Sequence, residues 1–289
     1  MKRTQVKTVL VVAAVAALAL AGVARADEAM APNMSKVLEI NGEKMITHTK
    51  APKNIPGLSE IYSGWLFRSP STQTMETDDI DNPGMSGEAM GEIEWANVDG
   101  TAGKSCASCH GDLAKMKGVR TQMPKVNKAG VLWSMENYIN DCRTTRMGAK
   151  PWKWSGANMQ DMVAAISVQS RGMPMDVKTD GKAAKYWKEG EKMYYTRYGQ
   201  LQLSCSNCHE DHYGDNIRAD HLSQGQINGF PTYRLKTGKL TSIQNRFKGC
   251  IRDTRAQTYA EGSPELTALE LYVASRGNGL SVEGVSVRP

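Results

Sequence analysis

Apolar and aromatic residues recur at helical spacing in four separate stretches of the 289-residue chain: GEAMGEIEWANV (87–98), NMQDMVAAISVQSRG (158–172), KAAKYWKEGEKMYYTRYG (182–199) and PELTALELYVASRG (264–277). This spacing predicts helices with one buried face, with Pro264 placed for a first turn and Gly277 for a stop. Aromatics at such positions belong to core packing. Alternating, strand-like patterning is sparse, and the intervening segments, rich in Gly, Pro, Asn and Lys, read as loops. The expected class is mainly α.

Two stretches break the pattern. The run from Val9 to Val23 is continuously apolar, follows a basic start and ends at Ala24-Arg25-Ala26. It is short for a bilayer span and reads as a cleaved secretory signal over residues 1–26 rather than a retained anchor, which sends the chain to a bacterial periplasm. No later stretch is long and apolar enough to cross a membrane. Residues 27–85 are broken by Pro56, Pro70 and Pro83 and carry an acidic cluster at Glu76, Asp78, Asp79 and Asp81. A run of this kind reads as solvated surface on an N-terminal extension, which is expected to pack along the first of two domains.

Charge adds an exclusion. The formal net charge is +6, but Lys2, Arg3, Lys7 and Arg25 all lie in the signal, which leaves +2 on the mature chain. A nucleic-acid partner has no support in that balance.

An internal repeat organises the remainder. Gly91-Glu92 and Gly190-Glu191 lie ninety-nine residues apart, as do the motifs KSCASCHGD and LSCSNCHED; Cys142 in CRTTR is echoed at 108 by Cys250 in CIRDTR, and Ser170-Arg171-Gly172 at 105 by Ser275-Arg276-Gly277. Shared landmarks in shared order indicate duplication. The reading is two tandem cytochrome c-like domains, residues 86–177 and 178–289, each with a helix before its cysteine motif and another after it.

The motif carries the chemistry. Two thiols in Cys-x-x-Cys-His add to the vinyl groups of a haem and place the histidine beneath the iron. A thioredoxin-type site wants a βαβ setting that is missing here, and a zinc ribbon built from both pairs leaves each histidine unexplained. Two covalent haems c are expected, on Cys106, Cys109 and His110, and on Cys205, Cys208 and His209. For the second axial position, Met173 and Met175 serve only the first copy, because the second has RGNGL there. Cys142 and Cys250, the two remaining cysteines, fit both copies as thiolate ligands. A disulfide between them, or two inert buried thiols, are the competing readings. His212 and His221 are minor rivals at the second iron, and His48 has no assignment.

The segments SGWLFRSPSTQTMETDDIDNPGM and NRFKGCIRDTR, with the two haem motifs, resemble SoxA, the dihaem subunit family of bacterial thiosulfate oxidation, over nearly all of the mature chain. The resemblance implies Cys142 and Cys250 as axial ligands, a catalytic second haem, a persulfide on Cys250 and substrate binding by Arg246. It also implies a SoxX-type cytochrome as heterodimer partner, a SoxYZ-type carrier whose cysteine receives thiosulfate, and electrons passing to c-type cytochromes. The residues agree: Arg246, Lys248, Arg252 and Arg255 surround Cys250, and fixed cations concentrate a small dianion and favour a thiolate. Lys248 is read as a helper, at least one of Arg252 and Arg255 as paired with a haem propionate or Asp253, and Gly249 as either room for a thin substrate or a plain turn. A dihaem electron carrier without a substrate site and a dihaem peroxidase are the alternative functions.

Overall fold

Helices α1 (Met85–Ala96) and α2 (Cys106–His110) recur ninety-nine residues later as α5 (Ala184–Tyr195) and α6 (Cys205–His209). Helices α3 (Met135–Asp141) and α4 (Ala157–Val168) are echoed by α7 (Ile243–Asp253) and α8 (Pro264–Arg276), each predicted long helix standing where its periodicity put it. The computed structural model describes residues 33–217 and 220–289, so the expected signal segment lies outside the described residues. Residues 32–289 fold as one unit.

Local chemistry sets the starts of the short helices. Ser105 accepts from the backbone of Ser108 while Ser108 accepts from the backbone of Ser105, and Ser204 and Asn207 repeat this reciprocal cap, so each Cys-x-x-Cys-His opens directly as a helical turn. Ser134 with Asn137 begins α3, and Ser242 with Asn245 begins α7. Both caps stand eight residues before a lone cysteine, Cys142 or Cys250.

Glycine decides how the long helices cross. A Cβ on Gly91 would lie 2.1 Å from the Asp161 carbonyl oxygen of α4, and one on Gly190 would lie 2.1 Å from that of Ala268 in α8. The backbones therefore touch at both crossings, where any side chain would hold them apart. Around them form two cores. Trp95, Met135, Ile139, Met159 and Met162 fill one, and Trp187, Tyr194, Leu266, Leu269 and Tyr272 the other.

Strands are present but only two or three residues long. Antiparallel pairs join 125–126 to 132–133 before α3 and 232–234 to 239–241 before α7; the second pair gains a parallel third strand, 286–288. Such short pieces fall below what alternation in the sequence can register.

The extension departs from expectation. Its main partners lie in the second half and not along the first domain. Ser63 donates to Glu283, Glu76 pairs with Arg288 and accepts from the Val287 amide at 2.8 Å, and the Asn82 amide donates to the Val285 carbonyl at 2.8 Å. Arg68 reaches Asp220 at 2.9 Å and Tyr62 donates its amide to Gln224 at 2.9 Å. The acidic cluster is accordingly not all solvated: Glu76 is 1% exposed, and Asp79 pairs with Arg171 at 2.8 Å. Arg288 is largely buried and contacts Glu76 and Glu283. A guanidinium in that place needs carboxylates, and the extension supplies one of them.

Between the halves lies a polar island. Arg120 is buried and, among the described residues, its guanidinium donates only to carbonyls, those of Phe230 at 3.1 Å and Ile227 at 3.0 Å among them. Glu270 accepts from the Ser134 hydroxyl at 2.6 Å and the Gln244 amide at 2.8 Å, whereas Glu136 of α3 is pushed up to about 8, by burial first and then by the Glu270 charge. Burial raises Glu270 as well, against the hydrogen bonds of Ser134 and Gln244 and the Arg120 charge, which favour its ionised form. The folded state thus binds more protons than the unfolded chain between the ordinary carboxylate range and that raised value, so stability falls as pH rises through the window. Thermal unfolding followed from pH 6 to 9 is expected to show this decline, and Glu136→Gln is expected to reduce it, gaining about 1–3 kcal/mol at the alkaline end, while Glu76 and Glu88, pushed up by burial to about 8 and about 7, keep the remainder.

Candidate functional site

The first motif opens into a cavity of about 300 Å³ with an apolar wall that includes Trp95, Met116, Val119, Ile139 and Ile166. Cys106, Cys109, His110 and Cys142 all line it. Cys142 arrives there from the end of α3, where the helix loosens into a wider π turn, Cys142–Met147. Arg143 anchors that turn through Asp99 at 2.6 Å and lies 3.8 Å over the Trp152 ring. Trp95 donates to the Gly111 carbonyl at 2.9 Å and its ring centre is 5.7 Å from that of His110. Burial raises the Cys106 thiol, and the Cys142 charge is the next contributor. Met173 and Met175, the rival ligands by their position along the chain, are not part of this lining; Met175 is packed into the other core.

The second motif assembles the same groups with different surroundings. Burial pushes the Cys205 thiol up to about 12, with the charges of Cys250 and then Cys208 adding to it. His209 is held neutral, down to about 4, chiefly by burial, with Arg246 and Arg276 as charged neighbours. Its Nδ1 meets the Ser223 carbonyl at 2.7 Å, which fixes the proton there and leaves Nε2 with a free lone pair, the form a metal ligand needs. Gly225 has φ +74°, and a Cβ there would stand 2.9 Å from His209 Cγ, so the loop over the imidazole admits glycine alone. All six cysteines are free, so no disulfide joins Cys142 to Cys250. Cys106 packs on one core and Cys205 on the other, as two separate cofactor sites require and a shared zinc ribbon does not.

Comparing the copies places the candidate substrate residues. Arg246 and Cys250 are four apart on α7 and share one face. The matching positions on α3 and its end are Tyr138 and Cys142, and both line the first cavity. Arg246 therefore stands where the first copy has a phenol ring, beside the sulfur. Lys248, two residues from each, is turned about 200° round the helix and is not brought to that face. Arg252 pairs with Asp253 at 3.4 Å in the open, and Arg255 reaches Gln200 at 3.4 Å. Gly249 lies within the helix, not in a turn, and the nearest atom to a Cβ there is 3.9 Å away. His212 bonds Asp215 at 2.9 Å, His221 gives its carbonyl to Arg68, and His48 stacks on Tyr62 beside Glu60.

Sequence reasoning missed Arg234. Its guanidinium is fixed by two bonds to the Pro289 carbonyl, at 2.9 and 2.8 Å, and it feels the charges of Arg246 and Cys250. No motif marks it. Ser223 and Gly225 were also missed, since neither has a counterpart in the repeat.

Paired thiols, a neutral imidazole and a helical fold around an apolar cavity define a c-type cytochrome. The family model for the SoxA/TsdA cytochrome c domain matches residues 90–175 and again 189–282. The L-cysteine S-thiosulfotransferase subunit SoxA of Paracoccus pantotrophus is 54% identical over 94% of this chain and 94% of its own length. The subunit of the same name from Rhodovulum sulfidophilum is 51% identical over 95% of this chain and 97% of its own length. The crystal structure of SoxXA from P. pantotrophus superposes with a TM-score of 0.85 at 54% identity, covering 88% of this chain and 97% of that one. The chain belongs to the SoxA family.

The loop over His209 supplies a test. Gly225→Ala is expected to displace the imidazole and to change the absorption and spin-resonance spectrum of the second site. Gly130→Ala, at φ +83° with nothing within 4 Å, is the control: about 1 kcal/mol of strain and unchanged spectra.

Proposed function

We propose that the chain is the dihaem subunit of a thiosulfate-conjugating enzyme, with the observation that Arg246 and Cys250 share a helix face beside His209 as its main support. Residues 27–85 form an extension, 86–177 the first haem domain and 178–289 the second, in which the reaction takes place. One haem would be held by Cys106, Cys109, His110 and Cys142, and the other by Cys205, Cys208, His209 and Cys250. A bound haem supplies one-electron acceptance. The partner is a SoxX-type monohaem cytochrome in a heterodimer, the carrier is of SoxYZ type, and the compartment is the periplasm reached through the signal at residues 1–26.

The reaction joins the carrier's cysteine thiol to thiosulfate. A sulfur–sulfur bond forms, the thiol proton is lost and two electrons leave in succession to c-type cytochromes; the products are the carrier's cysteine S-thiosulfonate and one proton. Arg246 binds the dianion with its planar fork and orients the outer sulfur. Cys250, as thiolate or persulfide, is the sulfur of this chain at which the substrate sulfur is held. Fixed cations act here without reorganisation, which is where they lower a barrier most. Lys248 is left without a role.

Turnover is measured with the holo-complex, a thiol-bearing carrier, thiosulfate and an electron acceptor, the carrier being weighed by mass spectrometry. Cys250→Ala is expected to abolish the added mass while the first haem still exchanges electrons. Arg246→Gln is expected to raise the KM for thiosulfate roughly 10- to 100-fold, the worth of a charged hydrogen-bond partner. Carrier modification by the Cys250→Ala protein overturns the assignment. Electron exchange without carrier modification in the wild type leaves an electron carrier, and undiminished peroxide turnover in Cys250→Ala would mark a peroxidase.

A further inference from the structure

Immediately after His209 stands Glu210, and Arg276 at the end of α8 reaches it at 2.5 Å. The Arg276 side chain is 0% exposed and that of Glu210 9%. The guanidinium carbon lies 4.4 Å from the centre of the Tyr194 ring, and Nε and Nη2 have no hydrogen-bond partner among the described residues. Glu210 also accepts from the Tyr195 hydroxyl at 2.8 Å.

The first copy is built otherwise. Gly111 occupies the place of Glu210, with Trp95 on its carbonyl, and the arginine of the repeated Ser-Arg-Gly, Arg171, turns instead to Asp79 in the extension. Only the second site therefore has a buried ion pair directly behind its histidine.

We infer that the Arg276–Glu210 pair sets the reduction potential of the haem attached at Cys205 and Cys208, Arg276 raising it and Glu210 lowering it. The inference rests on the dihaem reading above. Oxidised iron carries one more positive charge than reduced iron, and a fixed cation in a low-dielectric interior disfavours that charge. Removing Arg276 leaves the Glu210 anion, next to the ligand in the chain, uncompensated and favours the oxidised state; removing Glu210 leaves the cation, which acts on His209, and favours the reduced one. A merely structural pair lacks this opposition of sign. The pair gives the second haem a potential of its own, as a substrate-side haem passing electrons onward requires. Arg276 and Glu210 are positioning residues in this scheme, acting through His209.

The test is a redox titration of the holoprotein, followed by the absorbance of each haem, on Arg276→Met, Arg276→Lys, Glu210→Gln and the double variant. The expected result is a shift of the second haem to lower potential in Arg276→Met and to higher potential in Glu210→Gln. The double variant should return toward wild type, Arg276→Lys should restore most of the value, and the first haem should stay unmoved. Shifts of one sign in both single variants, equal movement of the two haems, or no movement would overturn the inference. If Arg276→Met does not fold, the sign in Glu210→Gln alone decides. Mass spectrometry of the Cys205–Cys208 peptide separates the layers: attached haem with unmoved potentials sinks only this inference, and a peptide without haem sinks the dihaem reading with it.

Discussion

Everything in this chain is arranged around two points where backbones touch without a side chain between them. At Gly91 and at Gly190 a helix that precedes the cysteine motif lies directly against the carbonyls of the helix that ends the copy. Because that crossing is fixed, the short capped turn carrying Cys-x-x-Cys-His is held at a set angle to the cavity, and the helix bearing Cys142 or Cys250 closes the opposite side. Replacing either glycine forces apart the two longest helices of a copy, and with them, in the first copy, the four groups that line the cavity.

Much of this was legible in the residues. The long helices announced themselves by periodicity, and the paired thiols with their histidines are a pattern whose chemistry leaves little room. What escaped was non-local. Glu76 looked like one member of a hydrated acidic run until Arg288, 212 residues onward, turned out to need it. The role of the extension was misjudged for the same reason, since nothing near Ser63 or Asn82 in sequence hints at Glu283 or Val285. Ser223 and Gly225, which fix the second histidine, belong to a loop without periodicity or repeat. Lys248 is the opposite case: it is close to Cys250 in sequence, but two residues along a helix start it from another face.

The two copies share a plan and diverge in charge. The first surrounds its cavity with Trp95, Tyr138 and a row of methionines, and sends Arg171 outward to the extension. The second replaces phenol by guanidinium at Arg246 and keeps Arg276 inside against Glu210. Duplication supplied the scaffold twice, and substitution at a few positions moved the charges: the first cavity is lined by Lys125 and Arg146, and the second copy has Arg246 four residues before its lone cysteine.

The clasp between Glu76, Glu283 and Arg288 also orders events in time. Each capped cysteine turn is made from residues within a few positions of one another, so it is available as soon as its own copy has been delivered. The extension, in contrast, has no complete partner until residues 283–288 are in place. A chain emerging in one direction thus presents its cysteines before it can lock the extension, and the fold closes behind the cysteine turns rather than ahead of them.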